Sequence, residues 1–185
     1  MNKIDEPFNP DPKKENILLG LKFLKAEERH IQDVYKLMVL RNPNMDKEQL
    51  YKKTENEILN LNDGQSYGLY VTEKDGETIG FCRYILSTKV PIERIKFPHP
   101  VGMYCMGIIV APEFRRRRVA SFMSNSRFRL IRKLGFNEVY SMVASDNLAS
   151  ISMHKKFGYQ EIQRGAGFFI VSFDNGEGIL FKNVL

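Results

Sequence analysis

Val110-Ala111-Pro112-Glu113-Phe114-Arg115-Arg116-Arg117-Arg118-Val119-Ala120-Ser121 is the stretch on which the fold turns. Upstream of it, Met103 to Val110 is an apolar run that reads as a strand, and Pro112-Glu113 ends it. Downstream, Val119, Phe122, Met123, Leu130, Ile131 and Leu134 recur at helical spacing up to a stop at Gly135. A strand therefore passes through a tight turn straight into a helix. The helix start leaves backbone N–H groups without acceptors and carries the positive end of the helix dipole. Such a turn favours an anion, above all a phosphate. Four consecutive arginines add forked donors that suit phosphate oxygens, and the small Ala120 and Ser121 let a ligand come close.

Working outward, Gly20 to Leu24 suits a first strand, and Ile31, Val34, Tyr35, Met38 and Val39 predict a helix ending at Arg41. Asp46 caps a weaker amphipathic helix that runs to Leu61 and closes at Asn62-Asp63-Gly64. Tyr67 to Thr72 and Glu77 to Leu86 flank the turn Glu73-Lys74-Asp75-Gly76 as an antiparallel hairpin. Lys89 to Pro100, broken by Pro91, Pro98 and Pro100, reads as a loop of the kind that carries function. After the central helix come a strand from Glu138 to Val143 and a short helix from its Asn147 cap to Phe157, stopped by Gly158. Tyr159 to Gln163, Gly167 to Phe173 and Ile179 to Lys182 are expected to complete the sheet. The pattern is an α/β (α+β) fold, a mixed sheet with helices on both faces. Residues 1–17 read as a flexible N-terminal arm and 18–185 as a single domain.

Composition narrows the function without choosing it. With 43% hydrophobic and 27% charged residues the chain reads as an ordinary globular protein. Its apolar runs are far shorter than the ~20 residues of a membrane span, and the N-terminus lacks a signal-peptide core, so a cytoplasmic location is expected. Cys82 and Cys105 lie in apolar strands and read as buried free thiols. Three scattered histidines and two distant cysteines match no metal-ligand spacing, so no metal is expected. A charge of +6 attracts anions but is too mild to separate nucleic acid from a phosphorylated cofactor.

The arginine turn resembles the signature loop of the GNAT superfamily of N-acetyltransferases, Arg/Gln-x-x-Gly-x-Gly/Ala, with Arg115 and Ala120 at its ends. Arg118 departs from it, standing where the family usually has glycine. Asp146-Asn147-Leu148-Ala149-Ser150-Ile151-Ser152-Met153-His154-Lys155-Lys156-Phe157-Gly158-Tyr159 is similar to the family's second block. The resemblance implies a central sheet of about seven strands, splayed at its middle and flanked by about four helices on both faces. It implies acetyl-coenzyme A as cosubstrate, with Arg115, Arg116, Arg117, Arg118, Val119, Ala120 and Ser121 on the pyrophosphate. Ile108, Ile109 and Val110, with Asn147 and Ser150, would hold the pantetheine arm and polarise the thioester for direct attack by a neutral amine. His154 takes the place of the family's acid and shares a helical stripe with Asn147 and Ser150. The strand Met103 to Met106 lacks the carboxylate that often serves as base, leaving Tyr104 as a weak candidate.

Each residue has a plainer reading. The arginines can be a solvated helix start, Asn147 a cap, His154 an exposed or packed spectator, and His99 an ordinary loop residue. For the acceptor the sequence favours a small-molecule amine, whether metabolite, polyamine or aminoglycoside-type antibiotic. Glu73, Asp75, Glu77 and Glu93 are candidates to border a pocket for a polycation. A protein or peptide N-terminus is the alternative acceptor, and a non-catalytic acyl-coenzyme A binder or a nucleic-acid binder the alternative class. The sequence leaves a homodimer open.

Overall fold

A computed structural model describes residues 18–174 and 176–185; the expected arm at 1–17 lies outside the described residues. In chain order the elements are β1 (Lys22–Lys25), α1 (Ile31–Arg41), α2 (Lys47–Asn56), β2 (Tyr67–Lys74), β3 (Glu77–Leu86), β4 (Met103–Val110), α3 (Val119–Lys133), β5 (Glu138–Ala144), α4 (Leu148–Lys156), β6 (Gln160–Gly165), β7 (Gly167–Phe168), β8 (Val171–Ser172) and β9 (Gly178–Val184). Asp46 caps α2 by accepting from the Gln49 N–H, and α2 runs on as a π-helical turn over Glu57–Leu61.

Seven strands form one sheet in the order β1-β2-β3-β4-β5-β9-β6, as expected. Gly167 to Phe173 departs from the expectation: β7 and β8 pair only with each other, as a small separate hairpin. Its aromatic residues bury themselves without joining the ladder. Phe168 and Phe169 pack on Tyr104, Tyr140 and Leu180, which gives this face of the sheet a cover where helices are missing.

Alternation along the strands sorts the core into two faces. Leu69, Val71, Phe81 and Ile109 lie under α1 and α2 with Val34, Leu37 and Leu50. On the opposite face Cys105, Val139, Ile179 and Phe181 meet Phe128 and Ile131 of α3, and Val110 meets Val119 and Met123.

Strand β4 is irregular on both of its edges. Cys82 pairs with Ile108 while Arg83 pairs with Met106, so Gly107 is an extra residue, a bulge. β4 also pairs with its parallel neighbour β5 only at Met103↔Val139 and Tyr104↔Tyr140. Beyond that pair the two strands part, and a gap opens from Cys105 towards Val110.

Asn62 anchors the turn after α2 against the sheet. Buried, it accepts from the Leu69 N–H at 2.9 Å and donates to the Ala26 and Leu69 carbonyls at 3.0 Å each. Asn62→Leu would strand the Leu69 N–H and the Ala26 carbonyl, the Leu69 carbonyl keeping the Ala26 N–H, so we expect a loss of about 3 kcal/mol in urea unfolding. A loss under ~1 kcal/mol would mean that the turn is held by its packing alone.

Candidate active site

The arginine turn is built by alternating backbone hands. Arg116 and Arg118 adopt φ of 62° and 64°, the left-handed region, and Arg118 sits directly before the first residue of α3. Arg118 therefore takes the conformation that favours glycine, so the backbone shape survives the departure from the motif at the cost of side-chain strain. Among the described residues the N–H groups of Val119, Ala120 and Ser121 have no backbone acceptor, the first helical bond being Phe122 N–H to the Arg118 carbonyl. No side chain caps this helix. Arg115 turns back, donating from Nε to the Val110 carbonyl at 3.0 Å, while all four arginines stay exposed. The result is a concave row of bare amides edged by guanidinium groups.

Along β4, Ile108, Ile109 and Val110 continue from this turn towards the gap. Beside the gap stands α4. Asn147 caps it by accepting from the Ser150 N–H at 3.0 Å, so Asn147, Ser150 and His154 do form one chained stripe. His154 itself is buried, stacked 5.3 Å from the Phe181 ring. Its Nδ1–H donates to the Ser150 carbonyl at 2.7 Å, leaving Nε2 as acceptor for the Ser141 hydroxyl at 2.8 Å. The Ser141 Oγ lies 3.2 Å from the Cys105 carbonyl, where β4 and β5 part. Burial, chiefly, holds His154 below the usual histidine range; the Ser150 carbonyl works against this and the Arg127 charge adds to it. The histidine is therefore neutral at pH 7 and reaches the gap through Ser141.

Tyr104 is buried with its hydroxyl donated to the Pro100 carbonyl at 2.9 Å. Burial raises its pKa, followed by the nearby Tyr140, so a phenolate base is not available there near neutrality. His99 packs 4.6 Å from the Phe169 ring, in a loop pinned by two N–H donations, from Lys96 and Phe97, to the Phe169 carbonyl. Of the acidic side chains, Glu73 is taken up by Arg29 at 2.6 Å and His30 at 2.9 Å, and Asp75 and Glu77 stand at the hairpin turn. Both cysteines are free and buried, and burial pushes the Cys82 thiol up to about 11. Among the described residues no acidic, histidine or cysteine cluster could hold a metal ion, and no helix is long and apolar enough to cross a membrane.

Several residues escaped the sequence reading. Arg127 of α3 is buried and donates from Nη1 to the carbonyls of Arg83 and Met106 at 3.0 and 3.1 Å, the groups displaced by the bulge. Ser141 links His154 to the gap. On the other face, Arg83 donates to Glu57, and Arg41 lies over Gly107. The signals were present: a lone glycine inside an apolar strand, and charged residues at the core-facing positions 83 and 127.

A family model described as the acetyltransferase (GNAT) family matches residues 31–159. The chain belongs to that family and is an N-acetyltransferase by fold and domain. Acetyl-coenzyme A is the acetyl donor the family uses. No curated protein matches the chain significantly. Among solved structures, a spermidine N-acetyltransferase chimera from Vibrio cholerae and hSSAT is 15% identical, with TM-score 0.62 over 89% of this chain and 95% of that one. The ribosomal-protein-S18-alanine N-acetyltransferase from Escherichia coli is 13% identical, with TM-score 0.60 over 89% and 93%. The PaiA N-acetyltransferase from Thermoplasma acidophilum, in complex with coenzyme A, is 12% identical, with TM-score 0.63 over 89% and 99%. At these identities the likeness is one of fold.

The left-handed turn and the buried histidine each leave a mark on stability. A left-handed non-glycine residue costs roughly 1–2 kcal/mol, and the extra unfolded freedom of glycine takes back about 0.5–1. Arg118→Gly should thus stabilise by up to about 1 kcal/mol in urea unfolding and Arg118→Val destabilise; a destabilised glycine variant would contradict this. For His154 the folded pKa is depressed, so as pH falls through about 6.5 the unfolded chain binds a proton the folded one refuses. Stability should drop from pH 7 to 5, and drop less steeply in His154→Gln; parallel slopes would show that His154 protonates freely.

Proposed function

We propose that this chain moves the acetyl group of acetyl-coenzyme A onto a primary amine of a small molecule, within one domain over residues 18–185. The observation that carries the reading is the row of unpaired amides at Val119, Ala120 and Ser121, held by the two left-handed arginines and leading along β4 into the gap. Bare helix-start amides with no protein acceptor are what a pyrophosphate satisfies. In this reading Arg115, Arg116, Arg117 and Arg118 neutralise it. Ile108, Ile109 and Val110 offer backbone groups along the pantetheine arm, with Asn147 and Ser150 on the far wall.

The neutral amine attacks the thioester carbonyl, the C–S bond breaks, and coenzyme A leaves as a thiolate that takes up a proton. Backbone donors aimed at the developing oxyanion are worth ~10²–10³ in rate. His154, expected as the acid, keeps its one ring proton on the Ser150 carbonyl, so in this reading it positions the Ser141 hydroxyl beside the gap and the thiolate takes its proton from water. Tyr104 serves as a wall, and the amine sheds its proton to water. A small acceptor is favoured over a protein N-terminus because the β7–β8 hairpin and the loop pinned to Phe169 cover the sheet face next to β4.

The test is thiol release from acetyl-coenzyme A over a panel of amines, amino acids, polyamines, aminoglycosides and short peptides. Turnover is expected with small amines, falling to a similar extent in His154→Ala and Ser141→Ala with no further loss in the double variant. Binding of acetyl-coenzyme A with no release for any amine would leave a non-catalytic binder, and preference for peptides would move the acceptor to proteins.

A further inference from the structure

We infer that the acceptor amine carries its own anionic group, a carboxylate or phosphonate, received by Arg41 and Arg83 across Gly107. This rests on the acetyl-transfer reading and specifies the substrate class of the same site.

The bulge delivers Gly107 to the face of the sheet under α1 and α2, one residue before Ile108 and three after the last β4–β5 pair. The place where a side chain would begin is already taken. A Cβ on Gly107 would collide with Arg41 Nη1 and would stand 3.6 Å from Arg83 Nη2. Two guanidinium groups thus meet over one glycine at the edge of the gap.

Their own protein satisfies the two unequally. Arg83 gives Nη1 to both oxygens of Glu57 at 3.1 and 2.9 Å and lies 5.7 Å over the Phe81 ring. Among the described residues its Nε has no acceptor within hydrogen-bond geometry, and the Tyr67 hydroxyl stands beside the Glu57–Arg83 pair. Arg41, the last residue of α1, has no hydrogen bond or ion pair among the described residues. Desolvation, and then the like charge of Arg83, lower its pKa. One carboxylate against two guanidinium groups leaves a positive charge facing a positive charge. Arg41 is exposed at the end of α1, so water screens part of this repulsion, yet two cations over one glycine still favour an anion between them. An incoming carboxylate, with two oxygens and a planar shape, resolves it by accepting from both forks.

The same balance argues against a polycation. Both oxygens of Glu57 are spent on Arg83, and Glu73 is spent on Arg29 and His30. A polyamine arriving at Gly107 would meet like charge. Free amino acids and compounds of their type, with the amine and the acid a few bonds apart, fit a clamp set this close to the strand that holds the thioester.

The experiment compares matched pairs in the thiol-release assay: phenylalanine with phenethylamine, glutamate with 4-aminobutyrate, methionine with 3-(methylthio)propylamine, together with spermidine and an acidic dipeptide. The member with the carboxylate beside the amine is expected to be at least ~10-fold better in kcat/KM. Arg41→Ala should raise KM for the preferred acid by ~10–100-fold and collapse the selectivity ratio towards one. Arg41→Lys should recover part of it, and calorimetry should show acetyl-coenzyme A still binding the variants. Amines acetylated with no preference for the acid, spermidine preferred, or a ratio indifferent to Arg41→Ala would overturn this inference and leave acetyl transfer standing. A peptide preferred over its free amino acid would replace the small acid by a polypeptide. If acetyl-coenzyme A binds and no amine releases thiol, the acetyl-transfer reading fails and the clamp fails with it.

Discussion

One buried cation braces the irregular edge of β4. A parallel ladder that ends after two residue pairs leaves main-chain groups facing a gap, and a bulge at Gly107 displaces two more carbonyls on the other side. Arg127 meets that demand from α3 with donations to the Arg83 and Met106 carbonyls. Charged donors to carbonyls are stronger than neutral ones and suit a place where no ladder partner remains. The guanidinium makes no ion pair among the described residues; its Nε goes unsatisfied, which shows how far packing is bent to the needs of β4.

The same trade recurs at the arginine turn. A glycine at position 118 would make the left-handed bend cheaply. Arginine makes it under strain and in return places another cation at the helix start. The strained residue lies directly before a 15-residue helix, whose packing holds the bend in place. The backbone therefore makes the bend that a glycine would make, with a cation added at the turn.

Much of this was legible in the sequence where local chemistry and global fold agree. The strand-turn-helix around Pro112, the Asp46 and Asn147 caps, the helix ending at Arg41 and the hairpin about Asp75-Gly76 each follow from neighbouring residues. Gly167 to Phe173 misled because its apolar, aromatic character is that of a strand, and only tertiary contacts decide between joining a ladder and lying over one. His154 was found by its stripe, but its depth was not, since α4 is short and which side faces β9 depends on Phe181 far along the chain. Arg41 and Arg83 were invisible as a pair: they come from a helix end and a strand centre, and only the bulge at Gly107 brings them together.

Charge then explains why these pieces share one place. Arg127 lies behind the gap, Arg83 and Arg41 before it, and Arg115 to Arg118 at its mouth, while Glu57 answers them from the acceptor side. A neutral amine attacking a thioester creates negative charge first on oxygen and then on sulfur, in a crevice where water screens poorly. Cations fixed in advance around that point need no rearrangement as the charge appears. In the proposed reaction the arginines that look costly in the resting protein are the ones whose field grows useful as the C–S bond breaks, and a substrate carboxylate would temper that field only on the side where the amine enters.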